Sequence, residues 1–410
     1  MAEGRLERRL GLPDAVVIGA GSMVGAGVFT VWAPAAAAAG TALLLGLALA
    51  GLVAFANATS SADLAAVHPE SGGTYVYARH RLGPGWGHLA GWGFVVGKTS
   101  SSAAMALTIG AYLWPGRERA VALLAIAFIV TVNLQGITRT ALITRILLAV
   151  SLTTLAAVVG AGWLGDPEAA AAVPTGGDVL GILQAAAFCF FAFAGYARIA
   201  TLGEEVKDPT RTIPRAVPLA LGFVLLVYLV VGVTLLATTP IDEIAATDAP
   251  LELVVADTPL DGIVRVGAGI AALGVLLNLL AGISRTTLAM ARRREFPSPL
   301  SVIAARRSVP ARAELTVAVV VALLVLVFDL RDAIGFSSVA VLTYYALTNA
   351  SALRLTDAER RWPRLVPWFG LVGCVTLAMS LPPITVVAGA AVLGLGALVR
   401  WLTVGRSNVG

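Results

Sequence analysis

The sequence carries little charge for its length. Only 13% of its 410 residues are Asp, Glu, Lys or Arg, whereas 58% are hydrophobic, and the mean hydropathy is +0.86. A soluble domain usually has about 25% charged residues to cover its surface. This shortage excludes a soluble globular protein, and we expect an integral membrane protein.

Side chains that bind metals or carry out catalysis are also scarce. The two cysteines, Cys189 and Cys374, have no metal-ligand spacing, and none of the three histidines, His68, His80 and His88, shows HxxxH spacing. No Ser, His and Asp set can be assembled within the apolar runs, and the phosphate-loop pattern GxxxxGK(S/T) is absent. We therefore expect no enzyme, no ATP-driven pump, no metal and no cofactor.

Long apolar runs make up most of the sequence. They fit membrane-spanning helices of about 20 residues and exceed the roughly 10-residue strands of a membrane barrel. The sequence thus predicts an all-α polytopic membrane protein with about 12 transmembrane helices. The predicted spans are 15–39, 41–66, 87–113, 119–136, 146–164, 179–203, 216–238, 263–290, 313–330, 335–353, 366–382 and 384–402.

The distribution of positive charge predicts the orientation. If the N-terminus is cytoplasmic, most of the 29 Lys and Arg residues lie inside, while the acidic connection 238–262 lies outside and has neither residue. The positive-inside rule therefore favours a multi-pass protein of the cell membrane with both termini cytoplasmic. Because lipid orientation accounts for the net charge of +5, no nucleic-acid partner is expected.

Two spans contain weak helical centres, "GAGSMVGAG" at 19–27 and "FAFAGYA" at 191–197. Glycines such as Gly21 and Gly25 are typical of close helix packing, but they are also typical of interrupted helices that expose backbone to a ligand. Spans one and six are five spans apart. Because five is odd, two consecutive five-span units have opposite orientations, as in the inverted repeats of secondary transporters. The matching weak centres favour a ligand site over packing alone.

Several stretches resemble the amino acid, polyamine and organocation (APC) transporter superfamily. They are "GAGSMVGAGVF", "HPESGGTYVYARHRLGPGWGHLAGW", "FFAFAGYARIATLGEEVKDPTRTIPRA", "GISRTTLAMARRREFPSPL" and "YYALTNASALRL". The resemblance implies a 5+5 inverted-repeat, leucine-transporter-like fold plus two C-terminal helices. The implied units are a cytoplasmic N-terminus (1–14), a first five-helix repeat (15–164), a second, inverted repeat (165–353), two additional helices (354–402) and a cytoplasmic tail (403–410).

The resemblance also implies a secondary active transporter that binds an amino acid between helices one and six. The second half of helix one, expected to start near Ala20 to Ser22, would present N–H groups to the substrate carboxylate. Helix-six carbonyls would accept the ammonium, and aromatic side chains there would cover the substrate. The substrate-binding candidates are Ala20, Gly21, Ser22, Gly25, Phe191, Ala192, Phe193, Ala194, Gly195, Tyr196 and Asn278.

Ion coupling has two candidate positions. Proton-coupled relatives have a lysine in helix five, where this chain has Ser151, whereas Lys98 in span three is an unusual charge within an apolar run. Lys98 is a candidate for proton or sodium coupling. A second interpretation is an ammonium that is bonded to carbonyls or to a carboxylate.

The remaining candidates concern specificity and gating. Many relatives have an acidic residue at the position of Ala197, and its absence favours neutral or small apolar amino acids over cationic ones or polyamines. Asn278 either lines the site or forms an interhelical hydrogen bond. Charged side chains near the cytoplasmic face are candidates for a gate, or alternatively ordinary orientation signals. They are Glu204, Glu205, Arg79 and Arg285, together with Asp63, Arg81 and the "ARRREF" string.

Two functions of other kinds stay open: a channel and a non-transporting sensor. A pore usually has rings of groups from repeated subunits, whereas this chain shows an inverted repeat within itself. The sequence indicates neither the oligomeric state nor the choice between ion coupling and exchange.

Overall fold

A computed structural model describes residues 10–25, 27–68, 72–135, 140–165, 177–196, 199, 206–256, 258–303 and 309–405. Within these ranges the chain is helical, apart from one isolated backbone bridge between Leu10 and Val206. The helices are α1 (Leu12–Met23), α2 (Gly27–Thr30), α3 (Trp32–Ala39), α4 (Leu43–Val67), α5 (Thr74–Arg81), α6 (Pro84–Leu113), α7 (Glu118–Leu134), α8 (Thr140–Leu164), α9 (Val179–Phe193), α10 (Pro209–Thr238), α11 (Ile241–Ala246), α12 (Pro250–Leu253), α13 (Asp261–Arg292), α14 (Ala311–Val327), α15 (Leu330–Ala352), α16 (Leu365–Ser380) and α17 (Pro383–Gly405).

The helices agree with an all-α polytopic membrane protein. Each of the twelve predicted spans coincides with at least one helix in the described residues. Among the described residues, six helical segments are long and apolar enough to cross a membrane: Leu12–Thr30, Trp32–Val67, Arg145–Leu164, Thr210–Thr238, Asp261–Arg292 and Pro383–Trp401. The total of twelve crossings and the 5+5 arrangement stay predictions.

Close helix packing depends on small residues. A Cβ on Gly46 of α4 would lie 2.8 Å from the Cβ of Ala185 in α9, and one on Gly97 of α6 would lie 2.9 Å from that of Ala340 in α15. Because the hydrophobic effect does not drive helices together in lipid, such contacts are a main source of cohesion. Glycine therefore allows close helix packing at positions outside the weak centres as well.

Both predicted weak centres interrupt a helix. In span six, α9 ends at Phe193 and a turn follows at Ala194 to Tyr196, within "FAFAGYA". In span one, α1 continues to Met23 and α2 begins at Gly27. The expectation that the second half begins near Ala20 to Ser22 is therefore wrong by about one helical turn.

Candidate functional site

The two interruptions lie directly against each other. A Cβ on Gly195 would be 1.9 Å from the carbonyl oxygen of Ser22 and 2.8 Å from the amide nitrogen of Met23. On the other side of the break, a Cβ on Gly27 would be 2.8 Å from the Cα of Ala192. These distances allow no side chain, so glycine at these positions lets the two backbones meet.

A buried tyrosine of α10 joins the two interruptions. The hydroxyl of Tyr228 lies 2.7 Å from the carbonyl oxygen of Met23 and 3.1 Å from that of Ala192, so both oxygens share its single proton. These carbonyls belong to the last turns of α1 and α9. That of Met23 also accepts a hydrogen bond from the amide of Gly25, at 2.8 Å. Tyr228 is not among the site residues predicted from the sequence. The one signal in the sequence is a tyrosine within an aliphatic run. Because a buried phenol needs a hydrogen-bond partner, such a tyrosine indicates a polar contact in the interior.

The helix-six carbonyls already accept hydrogen bonds from the protein. The amide of Ala194 donates to Phe191, at 3.3 Å, and the amide of Tyr196 donates to Phe193, at 3.2 Å. The hydroxyl of Tyr345 in α15 donates to Ala194, at 3.1 Å. A carbonyl oxygen has two lone pairs, so a ligand ammonium would be a second donor or would displace the first.

The candidates on α1 differ in their surroundings. The hydroxyl of Ser22 donates to the carbonyl of Ile18, at 2.8 Å, so it is already used within the helix. Ala20 is buried and Gly21 is half-buried, both within the continuous part of α1. Gly25 lies in the interruption, where a Cβ would be 2.2 Å from a methyl group of Val275 in α13. Of these candidates, Gly25 is the one at the break itself.

Three helix ends of known polarity meet here. The C-terminal ends of α1 and α9 present carbonyl oxygens, whereas the first N–H groups of α2, from Gly27, have no acceptor within their own helix. Partial negative charge at the C-termini and partial positive charge at an N-terminus can bind a cation and an anion side by side. No charged side chain belongs to the described residues at either break, 23–25 and 191–196.

The aromatic candidates of helix six pack against the protein in this conformation. Phe193 is fully buried with its ring centroid 5.1 Å from that of Tyr228, and Tyr196 is buried with its ring 4.9 Å from that of Tyr345. Phe191 is only partly buried. Packing therefore accounts for two of the three rings, and Phe191 is the freest to cover a ligand.

The other candidates do not lie at the breaks. The side-chain amide of Asn278 is exposed and donates to the carbonyl of Gly274 in its own helix, at 3.0 Å, so this bond lies within α13 and not between helices. The hydroxyl of buried Ser151 donates to the carbonyl of Leu147, at 2.9 Å. Lys98 is partly buried on α6, and no carboxylate of the described residues forms an ion pair with it.

A charge network is centred on a residue of the "ARRREF" string. Nearly buried Glu295 accepts a hydrogen bond from Arg79, at 2.7 Å, and one from the hydroxyl of Tyr75, at 2.9 Å, while His88 is 3.7 Å away. Burial alone would raise the pKa of Glu295, but the neighbouring His88 and the hydrogen bonds from Tyr75 and Arg79 lower it below the usual value. Burial and the nearby carboxylate raise the pKa of Tyr75 to about 12.

One gate candidate therefore forms an ion pair, but with a residue other than Glu204 or Glu205, and the gate itself stays a prediction. Arg79 pairs with Glu295, whereas Glu204 and Glu205 lie outside the described residues. Arg285 is exposed. Arg81 binds Glu359 through two hydrogen bonds of 2.7 and 3.3 Å, which lower the pKa of that carboxyl to about 2.

Comparison with known proteins identifies the family. The sequence matches the amino acid permease family over residues 10–402. It is 57% identical to an uncharacterized transporter of Mycobacterium tuberculosis, over 95% of this chain and 90% of the relative. It is 23% identical to a branched-chain amino acid permease of Bacillus subtilis, over 98% and 94%, and 29% identical to a vacuolar cationic amino acid transporter of Arabidopsis thaliana, over 86% and 64%. The chain thus belongs to the amino acid permease family of the APC superfamily and is a membrane transporter.

Proposed function

We propose that the protein is a secondary active transporter for a neutral or small apolar amino acid. It moves its substrate across the cell membrane by alternating access, with both termini in the cytoplasm. The observation that carries the proposal is the contact between the two interrupted helices, where Gly195 and Gly27 allow backbone to meet backbone. Helix ends turned towards each other inside a membrane protein are typical of sites for zwitterions and ions.

The polarity of the helix ends fits the two charged groups that all α-amino acids share. The first N–H groups of α2, at Gly27, would bind the carboxylate. The carbonyls of Met23 and Ala192 would accept the ammonium, in competition with the hydroxyl of Tyr228. The proposed carboxylate site therefore lies about one helical turn after the predicted position, which was Ala20 to Ser22.

The side chain of the substrate would face an apolar neighbourhood. Val275 lies against Gly25, Phe191 is partly free, and the described break residues carry no acid that would pair with a cationic side chain. The name of the Bacillus subtilis relative points to branched-chain amino acids and agrees with this choice. The names of the Arabidopsis relatives point instead to cationic amino acids, which are the competing substrate class.

We further propose that Lys98 contributes to ion coupling. The helix-five position of the family lysine is occupied by Ser151, whose hydroxyl is bonded within its own helix. An amine without a carboxylate partner among the described residues can change its protonation state at lower cost than a paired one. Coupling to protons is preferred here over exchange.

The direct test is uptake by the purified protein in proteoliposomes. Leucine, alanine and arginine are offered separately, with and without an inward proton gradient. We expect saturable uptake of leucine or alanine, counterflow in preloaded vesicles, and little uptake of arginine. Ligand-induced thermal stabilisation gives a second readout, about 2.7 kcal/mol at 100 times Kd. Preferential uptake of arginine would contradict the substrate class, and conduction without saturation would contradict a carrier.

A further inference from the structure

Tyr345 of α15 lies across the helix-six interruption. Its hydroxyl donates to the carbonyl of Ala194, at 3.1 Å. The centroid of its ring is 5.8 Å from that of Phe190, before the break, and 4.9 Å from that of Tyr196, after it. Tyr345 is almost completely buried. One side chain of α15 therefore contacts both sides of the turn in which α9 ends.

The preceding residue, Tyr344, contacts a different helix. Its hydroxyl accepts a hydrogen bond from the backbone amide of Thr74, at 3.1 Å, and the hydroxyls of Thr74 and Thr348 lie 2.6 Å apart. Thr74 is the first residue of α5, so its N–H has no acceptor within that helix. A Cβ on Gly73 would be 3.0 Å from the hydroxyl of Tyr344, so the chain before α5 also lies directly against this group.

The two tyrosines have different partners because they are adjacent in one helix. Successive side chains of an α-helix point about 100° apart, so Tyr344 and Tyr345 reach neighbours on different sides of α15. Their ring centroids lie 5.1 Å apart, with the planes at 75° to each other. Because one rigid helix carries both hydroxyls, a rotation of α15 that lengthens one of these hydrogen bonds disturbs the other as well. The start of α5 and the carbonyl of Ala194 are thus held by the same turn of α15.

Helix α5 is also fixed to the segment that follows α13. Tyr75 and Arg79 both donate to Glu295, at 2.9 and 2.7 Å. Tyr75 comes directly after Thr74, so the contacts of α5 with Glu295 and with α15 begin one residue apart. A continuous series of contacts therefore joins the charge network around Glu295 to the helix-six interruption.

We propose that α15 links the position of α5 to the helix-six interruption, with Tyr345 as the positioning residue for the carbonyl of Ala194. A displacement of α5 would change where this carbonyl lies, and a ligand held at the interruption would favour one position of α5. The influence runs in both directions, because two sites that bias the same element affect each other equally. This inference rests on the proposed function, which puts the substrate against the interruptions and α5 on the cytoplasmic side.

The first experiment is hydrogen exchange of the purified full-length protein without substrate, followed by mass spectrometry. Thr74→Val keeps the size of the side chain and removes its bond to Thr348. In this variant we expect the peptide that covers residues 190–196 to exchange about two- to fivefold faster, as for a turn that loses part of the support of one hydrogen bond. Thr74→Ser keeps the hydroxyl and should exchange like wild type.

Ser337→Ala is the matched control in α15. It removes a bond of 2.6 Å to Ser101 of α6, about two helical turns from Tyr345, and should leave the exchange of residues 190–196 unchanged. Unchanged exchange in Thr74→Val would overturn the proposal. Equal acceleration in Thr74→Val and Ser337→Ala would overturn it as well, because it would show a general loosening of α15.

The second experiment is uptake of leucine or alanine in proteoliposomes. Tyr345→Phe should raise the half-saturation concentration about fivefold, and Thr74→Val about two- to threefold, with smaller changes in the maximal rate. The double variant should stay clearly below the product of the single effects, which is about 10- to 15-fold, because both changes act through α15. Single effects that multiply fully, or a half-saturation concentration that neither change alters, would contradict the link.

The two readouts separate the possible failures. A wild-type protein that takes up no amino acid contradicts the proposed function, while hydrogen exchange without substrate still decides whether α5 and the interruption are linked. Saturable uptake together with unchanged exchange in Thr74→Val contradicts the link and leaves the proposed function standing.

Discussion

Replacing Gly195 by alanine tests whether the contact between the interruptions is needed for transport. The new Cβ would lie 1.9 Å from the carbonyl oxygen of Ser22, against about 3.4 Å for an ordinary contact, so the shortfall is about 1.5 Å. The opposing atoms are backbone atoms of α1, and no side chain can rotate away. The interrupted segments must therefore move apart.

The size of the effect follows from this displacement. A misplacement of about 1 Å in a site that holds its ligand on both sides can cost about 100-fold in rate. We therefore expect Gly195→Ala to lower the uptake rate by about 100-fold or more. In Gly27→Ala the new Cβ would be only about 0.6 Å too close to its nearest neighbour, the Cα of Ala192. This variant should therefore lose less of its uptake rate. A larger loss of uptake rate in Gly195→Ala than in Gly27→Ala would be as informative as the size of either loss.

Gly222→Ala in α10 is the matched control. No atom lies within 4 Å of a Cβ at this position, so alanine should be tolerated and should stabilise the helix by up to about 1 kcal/mol. Initial uptake rates in proteoliposomes are compared at equal amounts of inserted protein, and size-exclusion profiles check folding. Near-normal uptake by Gly195→Ala would refute the idea that the closeness of the two interruptions matters for transport.

Three further predictions concern other parts of the molecule. Tyr228→Phe removes the hydroxyl donor from two buried carbonyl oxygens, of which that of Met23 keeps the bond from the amide of Gly25, and should lower stability by about 1–3 kcal/mol, measured by thermal unfolding, together with a loss of uptake. Lys98→Gln should abolish the dependence of uptake on external pH, and an unaltered pH profile would show that Lys98 does not couple. Because hydrogen bonds from Arg81 and Thr356 lower the pKa of Glu359 from 4.5 to about 2, these bonds stabilise the fold fully above pH 4.5 and lose this effect as the pH falls towards 2. Glu359→Gln should therefore lower the unfolding temperature equally at pH 7 and 5.5, and the difference from wild type should shrink below pH 4.5.

The positions of the helices could be predicted from composition because lipid imposes the same demand along the whole chain. A segment in the bilayer must be apolar and must satisfy its own backbone hydrogen bonds, so each run of suitable length becomes a helix. The interruption after α9 could be predicted because Gly195 is the single glycine in its weak centre. The family could be predicted as well, since several motifs agreed.

The register of the first interruption could not be predicted from local sequence. The first weak centre has four glycines, Gly19, Gly21, Gly25 and Gly27. Each of them lowers the local helix propensity to a similar degree, so propensity alone does not show where the helix breaks. Tertiary contacts decide between them. Gly19 packs against the side chain of Ile199 within a continuous helix, whereas Gly27 meets the backbone of α9 where the second half begins. Tyr228 could not be predicted for the same reason, because its hydroxyl bonds to carbonyls of residues that are far away in the sequence.

Tyr228 also suggests how ligand binding can be transmitted to α10. Its hydroxyl is a neutral donor shared between two carbonyls, whereas the ammonium of an amino acid is a charged donor, and charge-assisted hydrogen bonds are roughly twice as strong. An ammonium that reaches the carbonyls of Met23 and Ala192 would therefore replace the phenol. Because the phenol is fully buried, it must then find another acceptor or move with its helix. Substrate binding and movement of α10 against the two interruptions are thus expected to be linked by the exchange of one hydrogen bond.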